Sequence, residues 1–317
     1  MKLSPALCLG LLAMVSAAAA SSPESPPPTR ANVHYGTHER QVLDFWQAPS
    51  KTPTPLVFRI HGGGWVAGDK SDVDNLARYL AAGISVVSVN YRYIQQAIAA
   101  HVNPPISWPI ADNVRALQFV RFHAREWNID PTRIAATGGS AGGSSSLWLA
   151  FHDDLADPKS TDPIARESTR VVTAAVYEPQ TTLDPLLMKE WTPNSRYGGH
   201  AFGFWPDPTN LKTRDTAFAE FLAHRAELLP LIKQYSPLDL ATSDDPPVYL
   251  LYPTPPAMGQ VEGNPTHSAN FGVKLQEKLR AVGVPCEFVY PGSPRSSATH
   301  ATIADYLIDF LTKPTPR

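Results

Sequence analysis

Short apolar runs alternate with helical patterns along most of the chain. Runs of strand length cover 42–46, 55–60, 84–91, 133–137, 171–177, 247–252 and 285–290. Amphipathic helical patterns cover about 72–82, 109–127, 144–151, 268–282 and 299–311, the last with Thr299 as a candidate N-cap. Such an alternation predicts an α/β fold, with a mostly parallel twisted sheet and helices on both of its faces.

The interval between the strands at 171–177 and 247–252 is much longer than an ordinary connection. It includes a helical pattern at about 216–235 and five large aromatic residues, which either line a pocket or belong to the core: Trp191, Tyr197, Phe202, Phe204 and Trp205. We predict that about 180–236 form a lid, inserted into one domain that spans 32–317.

The N-terminal residues predict export. A lysine, an apolar run and a group of alanines fill residues 1–20, as in a signal peptide, and a proline-rich tether follows at 21–31. We therefore expect a secreted or periplasmic protein, and Cys286 is then the mature chain's single cysteine, which excludes an internal disulfide. No later segment reaches about 18 apolar residues, so we expect no stable membrane span after cleavage.

The charge and composition of the chain bear on which classes of partner it can bind. The 317 residues have a formal net charge of -2 and no long basic run, which argues against nucleic acid as a partner. His152, Asp153 and Asp154 are adjacent at a predicted helix end and cannot all face one ion, so we expect no metal site. The oligomeric state stays open.

The motif that organises the rest of the chain is Thr137-Gly-Gly-Ser140-Ala-Gly-Gly143. It stands between a predicted strand and a predicted helix, where a G-x-S-x-G turn needs small neighbours because the bend is sharp. Ser140 is therefore the predicted nucleophile.

A serine nucleophile needs a histidine base and a group that orients this histidine. His300 follows the last predicted strand, which is the expected place for the base, whereas His267 precedes that strand and is interpreted as a surface or substrate-rim residue. Glu262 is the one carboxylate in the loop after the 247–252 strand, so it is our choice for the acid, with nearby Asn264 as the alternative.

A glycine run, His61-Gly-Gly-Gly-Trp65, directly follows the strand at 55–60. Backbone N–H groups in such a turn can stabilise the oxyanion of an acyl-transfer reaction, together with the N–H group that follows the nucleophile. Gly63, Gly64 and Ala141 are the predicted donors. No phosphate-binding lysine motif follows the run, so we expect neither a nucleotide nor another organic cofactor.

The glycine run, the approach Ile129-Asp-Pro-Thr-Arg-Ile134 and the Ser140 turn together resemble the α/β-hydrolase superfamily, specifically its esterases with a His-Gly-Gly-Gly motif. Hormone-sensitive-lipase-like members usually carry Asp before the serine, where this chain has Gly139. The resemblance therefore favours smaller-capped exported esterases, which act on acetyl, feruloyl or similar side groups of polysaccharides.

The resemblance implies a serine carboxylesterase that forms an acyl-enzyme on Ser140, with His300 as base. We expect its substrate to be a small-molecule or polysaccharide ester. Two alternatives stay open at this point: a catalytically weak protein of the same fold that binds an ester or glycan, and an exported serine peptidase.

Overall fold

An eight-stranded, mostly parallel sheet organises the part of the chain that this computed structural model describes, which is residues 26–71, 73–205, 210–294 and 299–313. The strands are β1 (Arg30–His34), β2 (Val42–Trp46), β3 (Thr54–Ile60), β4 (Ser85–Val89), β5 (Ile129–Gly139), β6 (Thr173–Tyr177), β7 (Val248–Leu251) and β8 (Cys286–Val289). Their order is β1-β2-β4-β3-β5-β6-β7-β8, in which β2 runs antiparallel to its neighbours β1 and β4, and the other pairs are parallel. The predicted α/β class with a mostly parallel sheet is confirmed.

Helices cover both faces of the sheet. They are α1 (Leu76–Ala81), α2 (Ile94–Ala99), α3 (Ser107–Phe122), α4 (Ala141–Phe151), α5 (Pro185–Trp191), α6 (Arg214–Ala223), α7 (Arg225–Gln234), α8 (Pro237–Leu240), α9 (Asn270–Val282) and α10 (Ile303–Thr312). Alternate residues of β3 show the layering, because Phe58 packs in the larger hydrophobic cluster and Val57 in the smaller one. The smaller cluster lies under α1 and α10, with Tyr79 and Leu307 among its members.

Helix α10 begins later than the sequence predicts. Its N-cap is Thr302, whose side chain accepts a hydrogen bond from the backbone N–H of Asp305, so the prediction of Thr299 as N-cap was wrong. Thr299 and its neighbour His300 instead lie in the loop before the helix, where Thr299 bonds the side chain of Glu287. Because His300 lies in this loop and not on the helix, its side chain also bonds Glu287.

Four helices, α5 to α8, fold between β6 and β7; α5, α6 and α7 lie within the predicted lid at about 180–236, and α8 follows it. Asp184 caps α5 and also pairs with Arg225 at the start of α7, at 2.6 Å, which ties two parts of this segment together. Trp191, Tyr197, Phe202 and Trp205 are buried, so they belong to the core rather than to an open pocket. Residues 206–209 of the predicted lid lie outside the described residues.

The predicted signal peptide, residues 1–20, and residues 21–25 of the predicted tether also lie outside the described residues. The rest of the tether packs on the domain. Trp46 donates its indole N–H to the carbonyl of Pro26 at 2.8 Å, and β1 already begins at Arg30. The folded unit therefore starts a few residues before the predicted boundary.

Candidate active site

Ser140 lies at a sharp turn between β5 and α4. Its backbone has φ 52° and ψ −124°, a region that non-glycine residues rarely adopt and that is typical of strained functional positions. The backbone N–H of Ser140 donates to the carbonyl of Tyr177 at 2.9 Å, which holds the turn against the end of β6. A Cβ on Gly142 would lie 2.2 Å from the carbonyl oxygen of Ile60, so this position accepts only glycine.

The glycine run after β3 packs directly against this turn. An added Cβ on Gly62 would lie 3.6 Å from the Cβ of Ser140. Gly63 has φ +95°, and a side chain there would also collide with the carbonyl of Ala67, at 2.3 Å. The indole N–H of Trp65 donates to the Ser145 hydroxyl at 3.0 Å, which fixes the run to helix α4.

His267 is the histidine that reaches Ser140. Its Nε2 lies 2.9 Å from the Ser140 Oγ, and its Nδ1 lies 3.2 Å from the Oδ1 of Asn264. Since Oδ1 can only accept, Nδ1 bears the imidazole proton and leaves Nε2 free to accept from the serine hydroxyl. Burial lowers the pKa of His267 below its usual range, which keeps the ring neutral.

A short 3-10 helix, Pro265–His267, determines the position of this imidazole. Pro265 stands at its first position, and Asn264 at its N-cap position lies three residues before His267. The side chain of Gln180 donates to the carbonyl of Thr266 at 2.8 Å, and thereby connects this turn to the segment after β6. Local chain geometry thus brings Asn264 to the imidazole, and a long-range bond brings both to Ser140.

A cavity of about 550 Å³ opens beside Ser140. His267 and Gly62 line it near the serine, Tyr177 contributes an exposed aromatic ring, and the start of α10 lines the far side. The wall also includes Glu178, a carboxyl group whose pKa is raised by burial. The serine hydroxyl therefore faces a space that can hold a small ligand.

Two further classes of site are missing from the described part of the chain. Among residues 26–71, 73–205, 210–294 and 299–313, no three His, Cys, Asp or Glu side chains are grouped so that they could hold a metal ion. Within the same ranges, no helix has the length and apolar character needed to cross a membrane.

A comparison with known protein families shows to which family this chain belongs. Residues 43–254, about two-thirds of the chain, match the BD-FAE family. The chain belongs to the BD-FAE family. This match covers β2 to β7, and so includes the glycine run and the Ser140 turn, but it stops before Asn264 and His267.

Curated relatives of this BD-FAE chain include two proteins of Mycobacterium tuberculosis. A probable carboxylic ester hydrolase, LipM, is 35% identical over 154 residues, which cover 46% of this chain and 33% of LipM. The esterase LipQ is 26% identical over 250 residues, which cover 73% of this chain and 51% of LipQ. The matches thus span between a third and about half of the length of these relatives.

Solved structures confirm the fold. A truncated carbohydrate esterase from gut microbiota superposes with a TM-score of 0.65 at 20% identity, over 91% of this chain and 97% of that one. The predicted α/β-hydrolase fold and the resemblance to α/β-hydrolase esterases are both confirmed by these comparisons.

The BD-FAE chain places His300 away from Ser140. Its Nδ1 lies 2.9 Å from the Oε1 of Glu287 and its Nε2 lies 3.1 Å from the Oδ2 of Asp309. These groups line a cavity of about 710 Å³ beside the N-terminal ends of β5 to β8, whereas Ser140 follows the C-terminal end of β5. Because parallel strands all end at the same edge of the sheet, the two cavities lie at opposite edges. The prediction that His300 serves Ser140 was therefore wrong, and His267 occupies that place.

Glu262 also has a different position from the predicted one. Its Oε1 accepts hydrogen bonds from the Ser268 hydroxyl at 2.6 Å and from the Asn270 amide at 3.0 Å. Its backbone exchanges hydrogen bonds with the Asn194 side chain, which joins the loop to the lid. Glu262 thus braces the loop around the imidazole, and the alternative that we had kept open, Asn264, is the residue that His267 contacts.

The predicted N–H donors belong to the two segments that meet at the serine, and Gly62 of the glycine run is the residue that packs on the Ser140 side chain. Gly63 and Gly64 belong to the glycine run that packs on the turn, and Ala141 is the first residue of α4. A sequence signal for His267 did exist: an Asn-Pro-x-His spacing predicts a first helical turn, in which the Asn and His side chains are neighbours.

Proposed function

We propose that this protein is an exported serine carboxylesterase that hydrolyses carboxylic esters through an acyl-enzyme on Ser140. The observation that supports this most strongly is the 2.9 Å approach of the His267 Nε2 to the Ser140 Oγ, at a serine with a positive φ. Membership of the BD-FAE family and the ester hydrolases among its relatives are consistent with it.

The reaction begins when the Ser140 hydroxyl attacks the ester carbonyl carbon and its proton passes to the Nε2 of His267. His267 then returns this proton to the alkoxide oxygen as the carbon–oxygen bond breaks, and the alcohol leaves. Water attacks the acyl-enzyme in the same way, with His267 again as general base, and releases the carboxylic acid and free Ser140.

The tetrahedral intermediate of each half-reaction places a negative charge on the former carbonyl oxygen. We assign its stabilisation to the backbone N–H groups of Gly63, Gly64 and Ala141, since the glycine run packs on the turn that bears the nucleophile. These donors are held in place before the substrate binds, so little reorganisation opposes the reaction.

Asn264 takes the place that a carboxylate has in a Ser-His-Asp triad. Its Oδ1 selects the tautomer in which Nε2 can accept the proton, but its neutral amide gives the imidazolium little electrostatic stabilisation. We therefore propose a base of low pKa and a moderate turnover rate.

Fluorophosphonate labelling and hydrolysis of p-nitrophenyl acetate test this function, with wild type, Ser140→Ala and His267→Ala compared. We expect labelling and turnover in the wild type and their loss in both variants. A wild-type protein without labelling or turnover would instead be the ligand-binding alternative, and faster cleavage of matched amides than of esters would indicate a peptidase.

The natural ester is proposed to be an acyl or feruloyl side group of a polysaccharide, in line with the neighbouring carbohydrate esterase structure. Acetate release from acetylated xylan and ferulate release from methyl ferulate test this proposal, with the rates compared with those on short p-nitrophenyl esters.

For export, we expect a mature N-terminus near residue 21 and recovery outside the cytoplasm when the full chain is expressed. A cytoplasmic protein that retains residues 1–20 would contradict it.

A further inference from the structure

A histidine of the lid reaches the back of the glycine run. His200 lies in the short 3-10 helix Gly199–Phe202, with 2% of its surface exposed, and its Nε2 is 3.1 Å from the carbonyl oxygen of Gly64. The same helix is fixed to the body of the domain, because the carbonyl of Ala201 accepts from the N–H of Ile106 at 3.1 Å. His200 thus connects the lid to a turn 136 residues earlier in the chain.

The chemistry of this contact defines the state of the ring. A carbonyl oxygen only accepts, so Nε2 must bear the proton and donate it. Burial lowers the pKa of His200 to about 4, so the ring has a single N–H group at neutral pH, and this group is committed to Gly64. The other nitrogen, Nδ1, is buried and has no hydrogen-bond partner among the residues that the structure describes.

Two hydrogen-bonded carbonyls lie on either side of the Gly64 α-carbon. The carbonyl of Gly63 accepts from the N–H groups of Val66 and Ala67, at 3.0 and 3.1 Å, and the carbonyl of Gly64 accepts from His200. In a trans peptide the N–H group points away from the carbonyl, so each fixed carbonyl also fixes the direction of the next N–H group. Without a side chain, Gly64 at φ +61° would otherwise have wide freedom to rotate.

We propose that His200 is a positioning residue for the oxyanion-binding turn: it fixes the peptide group that follows Gly64, limits rotation at Gly64 and thereby helps to hold the Gly64 N–H in place. This inference rests on the proposed function of that turn. His200 touches neither Ser140 nor the cavity wall; it acts through the Gly64 carbonyl and is packed against the rings of Trp65, Tyr197 and Trp205. Loss of its N–H should therefore weaken transition-state stabilisation more than substrate binding.

A pair of variants of nearly equal size isolates the hydrogen bond. His200→Gln retains an amide N–H near the place of Nε2, whereas His200→Met fills a similar volume and has no donor. Tyr197→Phe serves as control, since the Tyr197 hydroxyl is buried in the same cluster and has no hydrogen-bond partner in the described ranges. Thermal unfolding of each variant shows whether it is folded before its kinetics are measured.

We expect kcat to fall about tenfold in His200→Met, less than the ~10²- to 10³-fold loss from removing an oxyanion donor itself. KM should change little, and His200→Gln and Tyr197→Phe should stay within about threefold of the wild-type kcat. A trifluoromethyl ketone gives a second readout, because Ser140 adds to its carbonyl, His267 takes the hydroxyl proton and an oxyanion forms. Its affinity should fall in step with kcat, whereas that of the corresponding alcohol should not.

Equal kcat and equal ketone affinity in folded His200→Met and wild type would overturn this role. A folded His200→Gln variant with a loss of kcat of about tenfold or more would overturn it too, and this result decides the question if His200→Met fails to fold. The proposed function has its own control, because a wild type with no Ser140-dependent turnover refutes the esterase, whereas normal turnover without an effect of His200 refutes only this inference.

Discussion

Replacing Asn264 by Asp should convert the His267 site into a triad with a carboxylate. At the 3.2 Å that separate Nδ1 from Oδ1, two opposite unit charges interact by about 1.3 kcal/mol in a water-like dielectric and by about 5 kcal/mol at an effective dielectric constant of 20. Because Asn264 is exposed and His267 is only partly buried, the interaction lies near the weaker limit, at about 1 to 2 kcal/mol.

This free energy acts on the imidazolium form of His267. One pKa unit corresponds to about 1.4 kcal/mol, so the pKa of His267 should rise by about one unit. The imidazolium also forms in the transition state, so kcat should rise about tenfold. This gain is far smaller than the ~10⁴-fold effect of Asp against Asn in a protease triad, because Asn264 already selects the required tautomer.

The sign of the pH dependence follows from the neutral base. His267 must be unprotonated to act, and burial lowers its pKa, so the acid limb of kcat/KM in the wild type should lie below the usual histidine range. Asn264→Asp should move this limb to higher pH while it raises the plateau. Initial rates with p-nitrophenyl acetate between about pH 4 and pH 9 measure both quantities.

Two controls make the result specific. Asn264→Ala should lower kcat, because nothing then selects the tautomer. Glu262→Gln should leave the limb in place, because the Glu262 carboxyl group bonds Ser268 and Asn270 rather than the imidazole. An Asn264→Asp protein with an unchanged plateau and an unchanged limb would refute the contact between Asn264 and His267 during turnover.

Three further predictions concern other parts of the structure. His267→Ala should reduce kcat by at least about 10⁴-fold, whereas His300→Ala should retain activity and lose about 1 kcal/mol of unfolding free energy. Gly63→Ala should lower kcat by about 10²- to 10³-fold, because its methyl group collides with the backbone at a positive φ. Asp184→Asn, which removes the charge of a buried carboxylate that pairs with Arg225, should cost about 2 to 3 kcal/mol of unfolding free energy in urea titrations.

Each of these has a matched comparison. The two histidine variants serve as controls for each other, and the predicted assignment of His300 would be restored if their effects on kcat were reversed. Gly259→Ala, also at a positive φ but with no atom within 4 Å, separates backbone strain from collision at Gly63. Asp244→Asn removes an exposed carboxylate and should change the free energy of unfolding little; an equal effect would show that burial of Asp184 is irrelevant.

The sheet was predictable because its central strands are buried on both faces and therefore appear as continuous apolar runs. The ends of β5, β6, β7 and β8 were each predicted to within a few residues of their ends in the structure. Strand β1 was missed, since Arg30–His34 is a largely exposed edge strand with polar residues, and helix α2 was missed because its six residues are too short for a clear period.

The nucleophile was predictable for a similar reason. Ser140 and the glycine run depend on local backbone geometry, and glycine at fixed positions is a direct sequence signal of it. The histidine base was not predictable from the order of strands and helices. That order favoured His300, at the start of the last predicted helix, but this helix starts at Ile303 and His300 lies in the loop before it. The bond between Gln180 and Thr266 joins residues 86 positions apart, and no local pattern reveals it.

The position of the lid in the chain bears on how readily this segment could be exchanged during evolution. The segment between β6 and β7 can change in length and sequence while the two strands remain neighbours in the sheet, because their pairing does not depend on what connects them. A transplanted segment would thus leave the pairing of β6 with β7 intact. It would also have to supply a donor for the Gly64 carbonyl, as His200 does, and a partner for the Thr266 carbonyl, as Gln180 does, so exchange of this segment is constrained by the reaction itself.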